Sequence, residues 1–232
     1  MTGAGPGMAA IRGIHLSKSF HHYQVLKEIS FEVTDGSCYV LIGQNGAGKT
    51  TLLRLLATLQ RPSSGRFEIM GHDGMKERDR VREVLLLIAH GSHLYDELNA
   101  EENIRFAMGL WGMNPAEREI KIVLDRVGIG AFKDLKTRYY SMGMKKRLAI
   151  AKAMLIRPKV LLLDEPYSSL DESGMTMVNS YIREITREGA SVMLTTHNRI
   201  KSSEVANQAG VLVRGELKEL GMKDLMAADD IP

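Results

Sequence analysis

Residues 43–51 read Gly43-Gln44-Asn45-Gly46-Ala47-Gly48-Lys49-Thr50-Thr51 and follow the apolar run Cys38-Tyr39-Val40-Leu41-Ile42. The spacing is G-x-x-x-x-G-K-[ST], set between an expected strand and an expected helix. Gly43, Gly46 and Gly48 let the backbone turn tightly, so that successive N–H groups face phosphate oxygens. Lys49 supplies positive charge toward the β- and γ-phosphates, and Thr50 a hydroxyl for Mg²⁺. The helix that follows, from Thr51 through Leu56, turns its positive dipole end to the same anion. The expected ligand is therefore a nucleoside triphosphate with magnesium, and the expected scaffold is α/β.

At 232 residues the chain suits one large domain or a domain with a sub-lobe. Its 44% hydrophobic and 25% charged residues are those of an ordinary globular protein. A net charge of +3 is too weak to imply nucleic acid as a partner. The single cysteine, Cys38, permits no disulfide within the chain, which suits a reducing cytosol. No apolar run approaches the ~20 residues that span a bilayer. The opening residues lack the charged and apolar regions of a signal peptide, and 1–8 read as a flexible tail. A membrane role would come through a partner.

Residues 9–18 and 28–34 alternate apolar and polar like half-exposed strands. Asp35-Gly36 marks a turn, Arg61 to Gly65 another, and Arg66 to Met70 a further strand. Val84 to Ala89 is a buried-type run. Asn99, with Glu102 three residues on, opens a helix with a capping box. Asn114-Pro115 is expected to open the next, with proline at its first position. Ser141 to Ile156 is a third helix, ended by Arg157-Pro158. Val160 to Leu163 is a continuous apolar strand of the kind buried in a parallel sheet. A helix over about 171–188, a strand from Ser191 to Thr195 and a strand pair near 210–219 complete the pattern, with 223–232 read as a tail. An αβ core is thus interrupted, between about 90 and 158, by a helical segment, and no linker divides the chain. Met108, Met113, Met142, Met144 and Met154 read as helical core or partner-facing surface rather than a metal site.

The strand Val160-Leu161-Leu162-Leu163 ends in Asp164-Glu165. An acid at a strand's carboxyl end, beside the phosphate loop, can bind Mg²⁺ directly or through water, and Asp164 fits. Glu165 can polarise an attacking water. His197 follows the strand ending Leu194-Thr195-Thr196 and so faces the same sheet edge. It is either a structural hydrogen-bonder or a contact to a γ-phosphate. Asp171, in Ser168-Ser169-Leu170-Asp171, can cap the helix that begins there. In Tyr140-Ser141-Met142-Gly143-Met144-Lys145-Lys146-Arg147, a Ser cap and a Gly at a helix start form a second anion site of backbone amides. Three basic residues in the first turn oppose the helix dipole, which suggests an arriving anion, a solvated basic face being the plainer reading. The helical segment is expected to hold Ser141 well away from the sheet edge. One nucleotide would then be sandwiched between the 43–51 loop of one copy and Ser141 of a second.

Taken together, these motifs resemble the ATP-binding cassette of ABC transporters, over about Ala10 to Leu220. The Walker A match is Gly43 to Thr51, and the Walker B match Val160 to Asp164 with Glu165. The signature match is Tyr140 to Met144, the D-loop Ser168 to Asp171, and the switch histidine His197. The resemblance implies a P-loop NTPase core, a RecA-like mostly parallel sheet with N-terminal antiparallel β strands, plus an inserted helical subdomain over about 90–158, in a single domain over 9–222. It places an adenine-stacking aromatic at Phe20, with Tyr23 a second candidate. Where the family has L-S-G-G-Q, this chain has Tyr140-Ser141-Met142-Gly143-Met144. By register with Glu101-Glu102-Asn103, His90 falls where the family has its Q-loop glutamine, to ligate Mg²⁺ or hold the water.

The implied cofactors are ATP and Mg²⁺, held by Gly43 to Thr51, Ser141, Gly143 and Asp171, with Thr50, Asp164 and His90 toward the metal. Lys49, Glu165 and His197 carry the chemistry. The implied partners are transmembrane permease subunits and a second copy, with the chain cytoplasmic and peripheral on the inner face of the membrane. Leu55 to Pro62, His90, Leu94 to Asn103 and Asp164-Glu165-Pro166-Tyr167 are further similar to the ATP-binding subunit of the haem exporter of cytochrome c maturation, Tyr167 being the most suggestive single residue. ABC-2-type exporters of drugs, lipids or polysaccharides share much of this. A P-loop kinase or GTPase would not need the Ser141 motif, and the guanine-reading Asn-Lys-x-Asp is absent. A non-transport cassette usually carries two copies in one chain, and an ATP-gated scaffold would bind without useful turnover.

Overall fold

A computed structural model describes residues 9–89 and 94–227. The chain opens with the antiparallel hairpin β1 (Ala9–Phe20) and β2 (Tyr23–Thr34), and then enters β3 (Cys38–Ile42). Helix α1 (Lys49–Leu56) follows, then β4 (Ser64–Ile69), β5 (His72–Asp73), α2 (Arg78–Val84) and β6 (Leu85–Ile88). The helices α3 (Ala100–Leu110), α4 (Glu117–Arg126) and α5 (Met142–Ile156) come next. The chain then returns through β7 (Val160–Asp164), α6 (Glu172–Arg187), β8 (Ser191–Thr196), α7 (Arg199–Ser203), β9 (Gln208–Val213), β10 (Glu216–Leu220) and α8 (Met222–Ala227).

Two sheets form, in the orders β2-β1-β4-β5 and β10-β9-β3-β8-β7-β6. The first is antiparallel throughout, and in the second every pairing but β10 with β9 is parallel. This is the mostly parallel core with N-terminal antiparallel strands that the motifs imply. Strand β3 shows why its residues are all apolar. Side chains alternate between faces along a strand, and both faces of β3 are covered. Cys38, Val40 and Ile42 pack into one core with residues of α3 to α6. Tyr39 and Leu41 pack into the other with β1, β2 and α1. Strands β7 and β8 divide in the same way, Leu161 and Leu163 to one side and Val160 and Leu162 to the other. The carboxyl ends of β3, β7 and β8 therefore lie side by side, and the loops leaving them share one edge.

Between residues 94 and 156 the described residues hold helices and turns and no strand. The capping box of α3 is present: Asn99 Oδ1 accepts from Glu102 N, and Glu102 accepts from Asn99 N. One turn on, buried Asn103 secures the preceding loop, accepting from Tyr95 N and donating to the carbonyls of Leu98 and Asn99. Helix α4 departs from expectation. It begins at Glu117, with Pro115 outside it, because Glu119 reaches back to the Ala116 N–H and caps the turn there. Helix α5 ends as expected, at Arg157 in the left-handed conformation ahead of Pro158.

Three further differences are local. The N-terminal strands are longer than their alternation showed, reaching Phe20 and restarting at Tyr23, because His21-His22 alone makes the turn. Residues Ser64 and Gly65 belong to β4 rather than to the turn before it. Residues 222–227 form α8, with Leu225 fully buried, where a tail was expected. The expected tail over 1–8 lies outside the described residues, as does 228–232.

Candidate functional site

The loop after β3 wraps a cavity of about 610 Å³ whose walls include Gln44, Asn45, Gly46, Gly48, Lys49, Thr50 and Thr51. Gly48 is required on two counts: its φ is +110°, and a Cβ there would stand 2.9 Å from Leu26 Cδ2. Gly43 and Ala47 are not walls. The Gly43 carbonyl accepts from Lys49 Nζ at 2.7 Å, and Ala47 packs toward the core beneath. Helix α1 has no side-chain cap and no acid in its first turn, so its leading N–H groups and its dipole face the cavity without a resident anion.

Asp164 and Glu165 complete the wall opposite. Asp164 is 2% exposed and accepts two hydroxyl bonds, from Thr50 Oγ1 at 2.8 Å and from Thr195 Oγ1 at 2.7 Å. Sequence reading missed Thr195. The signal was available: Thr195, one residue before the end of β8, pairs with Asp164 in the parallel register. Glu165 has φ +48°, in the left-handed region that non-glycine residues seldom adopt. Its carboxylate oxygens are buried, and neither has a hydrogen-bond partner. Lys49 Nζ stands 3.6 Å from Oε1, and His197 Nδ1 3.0 Å from Oε2. The His197 side chain is 72% exposed. Lys49, Thr50, Asp164, Glu165 and His197 are thus brought together.

Other expected residues lie elsewhere. Phe20 and Tyr23 are exposed in the β1–β2 hairpin, Lys18 Nζ sits 4.8 Å above the Phe20 ring, and neither aromatic lines the cavity. The hairpin contributes Val25 instead, and α1 contributes Arg54, both unread from the sequence. Asp171 is the N-cap of α6, accepting from Gly174 N. That bond, then Ser173 and Arg147, holds its carboxyl below the ordinary range. His90 lies outside the described residues.

Ser141 caps α5, its Oγ accepting from Met144 N, and neither it nor Gly143 lines the cavity. Two expectations about this turn need correction. The basic residues are not waiting for an anion, since each has an acceptor within the chain. Lys145 Nζ meets Asp96 Oδ1 at 2.8 Å, Lys146 Nζ the Glu165 carbonyl at 3.2 Å, and Arg147 Nη2 Asp171 Oδ1 at 2.7 Å. Nor does the turn stand well away from the sheet edge. It packs on the loop that leaves β7, so closely that a Cβ on Gly143 would lie 2.6 Å from the Ser169 carbonyl oxygen.

The family model of the ABC transporter matches residues 26–168, more than half the chain, and takes in the phosphate loop, the Ser141 turn and both acids. The chain belongs to the ABC transporter family. Among curated relatives, this cassette is 34% identical over 204 residues to the uncharacterized ABC transporter ATP-binding protein YdbJ of Bacillus subtilis, covering 88% of this chain and 66% of YdbJ. It is 32% identical to the sulfate/thiosulfate import ATP-binding protein CysA of Synechococcus elongatus, over 89% of this chain and 60% of that one. It is 34% identical to the cytochrome c biogenesis ATP-binding export protein CcmA of Pseudomonas putida, over 76% and 84% respectively. The chain thus spans about two thirds or less of YdbJ and CysA. A solved ATP-binding subunit of an ABC transporter superposes with a TM-score of 0.84 at 27% identity, covering 93% of this chain and 90% of its own.

The cassette's oxygen donors fit Mg²⁺. Thr50 Oγ1 and Asp164 Oδ2 are neighbours on the cavity wall. Among the described residues no cluster of three His, Cys, Asp or Glu could hold a metal by itself. One or two protein oxygens, completed by phosphates and water, are what Mg²⁺ ordinarily takes. Beside the cavity, a second hollow of about 130 Å³ lies between β6, α3 and α5, lined by Leu86, Leu87, Leu110, Trp111 and Lys152. Burial pushes the Lys152 ammonium below its ordinary range. Ala89 lines both this groove and the cavity.

Proposed function

We propose that this cassette binds ATP with Mg²⁺, hydrolyses it, and drives membrane-spanning permease subunits by closing on a second copy of itself. The observation that carries the reading is the shared cavity: Lys49, Thr50, Asp164 and Glu165 line one space beneath the uncapped start of α1. The N–H groups of the 43–51 loop and α1 take the phosphates. Lys49 turns from the Gly43 and Gln44 carbonyls to the β- and γ-phosphate oxygens. Thr50 and Asp164 would hold Mg²⁺, which supplies charge neutralisation to the phosphates. Glu165, its oxygens unpartnered, orients the attacking water and accepts its proton. His197, 3.0 Å away, steadies the γ-phosphate end. Positioning and fixed charge then carry the reaction.

Ser141 and Gly143 lie outside the cavity, and we assign them to the nucleotide of the second copy. The groove beside β6 receives the permease, and Ala89, common to groove and cavity, links that contact to the nucleotide. No helix among the described residues is long and apolar enough to cross a membrane. We place the cassette on the cytoplasmic face of the membrane, against its permease.

For the cargo, we favour export of haem for cytochrome c biogenesis. The support is the likeness of residues 55–62 and 94–103 to that subunit and the 34% identity to CcmA. Tyr167, at the end of the third similar stretch, does not add to it. Its side chain is buried and its hydroxyl donates to Asn179 Oδ1, so packing accounts for it. Neighbouring genes for cytochrome c assembly support the haem reading, and a neighbouring permease of another class contradicts it.

The activity itself is tested by ATP turnover with and without Mg²⁺. The chain hydrolyses ATP only with the metal, and Lys49→Ala abolishes turnover. Metal-independent turnover, or full activity in Lys49→Ala, contradicts the assignment.

A further inference from the structure

Lys146 is 9% exposed, and lysine is almost never that buried without a charged partner. Its ammonium has one hydrogen bond, to the neutral main-chain carbonyl of Glu165 at 3.2 Å. Burial pushes its pKa down, while Asp164 and Glu165 pull it up. An apolar side chain of similar volume would fill the same space with no charge to desolvate. Stability therefore does not explain the residue.

Its partner does. The Glu165 carboxylate accepts no hydrogen bond; Lys49 Nζ and His197 Nδ1 stand 3.6 and 3.0 Å from it, and the hydrogen bonds that fix the residue are all made by its main chain. That backbone is in the left-handed region, at φ +48°. Its N–H is fixed to the Thr195 carbonyl at 3.0 Å. Its carbonyl accepts from Ser168, through Oγ at 2.9 Å and N at 3.2 Å, and from Lys146 Nζ. Of these donors only Lys146 comes from the helical segment. On either side of it in the same turn, Gly143 lies against the Ser169 carbonyl, and Arg147 bonds Asp171. The first turn of α5 thus grips residues 165–171 as a unit.

We propose that Lys146 is a positioning residue for hydrolysis, holding Glu165 through its main-chain carbonyl and tying it to the turn that carries Ser141. The proposal rests on the ATPase reading. In the closed dimer, one copy's Ser141 turn meets the other copy's nucleotide, and Lys146 passes any movement of that turn to the acid of its own site.

The test measures steady-state hydrolysis by the full chain with Mg²⁺, equilibrium binding of a fluorescent ATP analogue, and thermal melting. Wild type, Lys146→Met and Lys146→Arg are compared. Displacing a catalytic group by about 1 Å costs on the order of 100-fold, so Lys146→Met lowers kcat ~10- to 100-fold. KM and analogue affinity stay within about threefold of wild type, since no phosphate contact is lost. Lys146→Arg, which keeps an N–H donor on a long stem, recovers most of the lost kcat. The proposal is overturned if Lys146→Met keeps wild-type kcat, if kcat and affinity fall together, or if Arg is as poor as Met. Should Lys146→Met fail to fold, Lys146→Gln, too short for the carbonyl, takes its place, and the same outcomes support or overturn the proposal. A wild type without turnover overturns the ATPase reading and this proposal with it. An active wild type with an unaffected Lys146→Met overturns this proposal alone.

Discussion

Asp164 and Glu165 are adjacent, yet of their two carboxylates only that of Asp164 has hydrogen-bond partners among the described residues. Two hydroxyls fix the Asp164 carboxylate, and the Glu165 oxygens are left without a hydrogen bond, a division that suits the ligand and base roles proposed for them. That division was half legible. An apolar strand ending in two acids places both at the sheet edge, but the hydroxyls that hold Asp164 come from α1 and β8, which only the folded chain brings near. The histidine was legible by the same logic, since a strand's carboxyl end fixes the edge it faces. The three basic residues of α5 were misread because their acceptors, Asp96, the Glu165 carbonyl and Asp171, lie 19 to 49 positions away in the chain. A second residue-scale consequence concerns Cys38. Burial pushes its thiol from 9.0 up to about 12. The folded chain then holds its proton more tightly than the unfolded one, so this contribution to stability is intact below pH 9 and fades between 9 and about 12. At pH 8 a thiol reagent should label the native chain far more slowly than the denatured chain, and equal rates would show that Cys38 is accessible.

At the scale of elements, the long periodic segments were read and the short ones were not. Helix α3 was found from its cap, and β7 from an apolar run that needs cover on both faces. Asn99→Ala removes the side-chain acceptor of the α3 cap, and the expected cost is about 1 kcal/mol of stability. A chemical-denaturation midpoint unchanged in that variant would show that the cap contributes nothing. Helices α2, α7 and α8 have five to seven residues each, too few to show a period, and tertiary packing such as that of buried Leu225 sets them. The start of α4 was missed because a proline signal competed with the reach of Glu119, and the acid prevailed.

At the scale of the whole molecule, the site is divided. The cavity gathers the phosphate loop and both acids at one sheet edge, with His197 3.0 Å from Glu165, while Ser141 and Gly143 lie outside it at the start of the helix whose Lys146 bonds the back of Glu165. On the proposed reading, the 43–51 loop is half of a nucleotide site, and hydrolysis should depend on a second copy. The most direct measurement is the solution mass of Glu165→Gln with ATP and Mg²⁺. Loss of the general base slows hydrolysis by ~10²- to 10⁴-fold, so the closed state should persist. The account predicts a species of twice the chain mass with one ATP per chain, and a monomer without nucleotide. A variant that binds ATP and stays monomeric would contradict it.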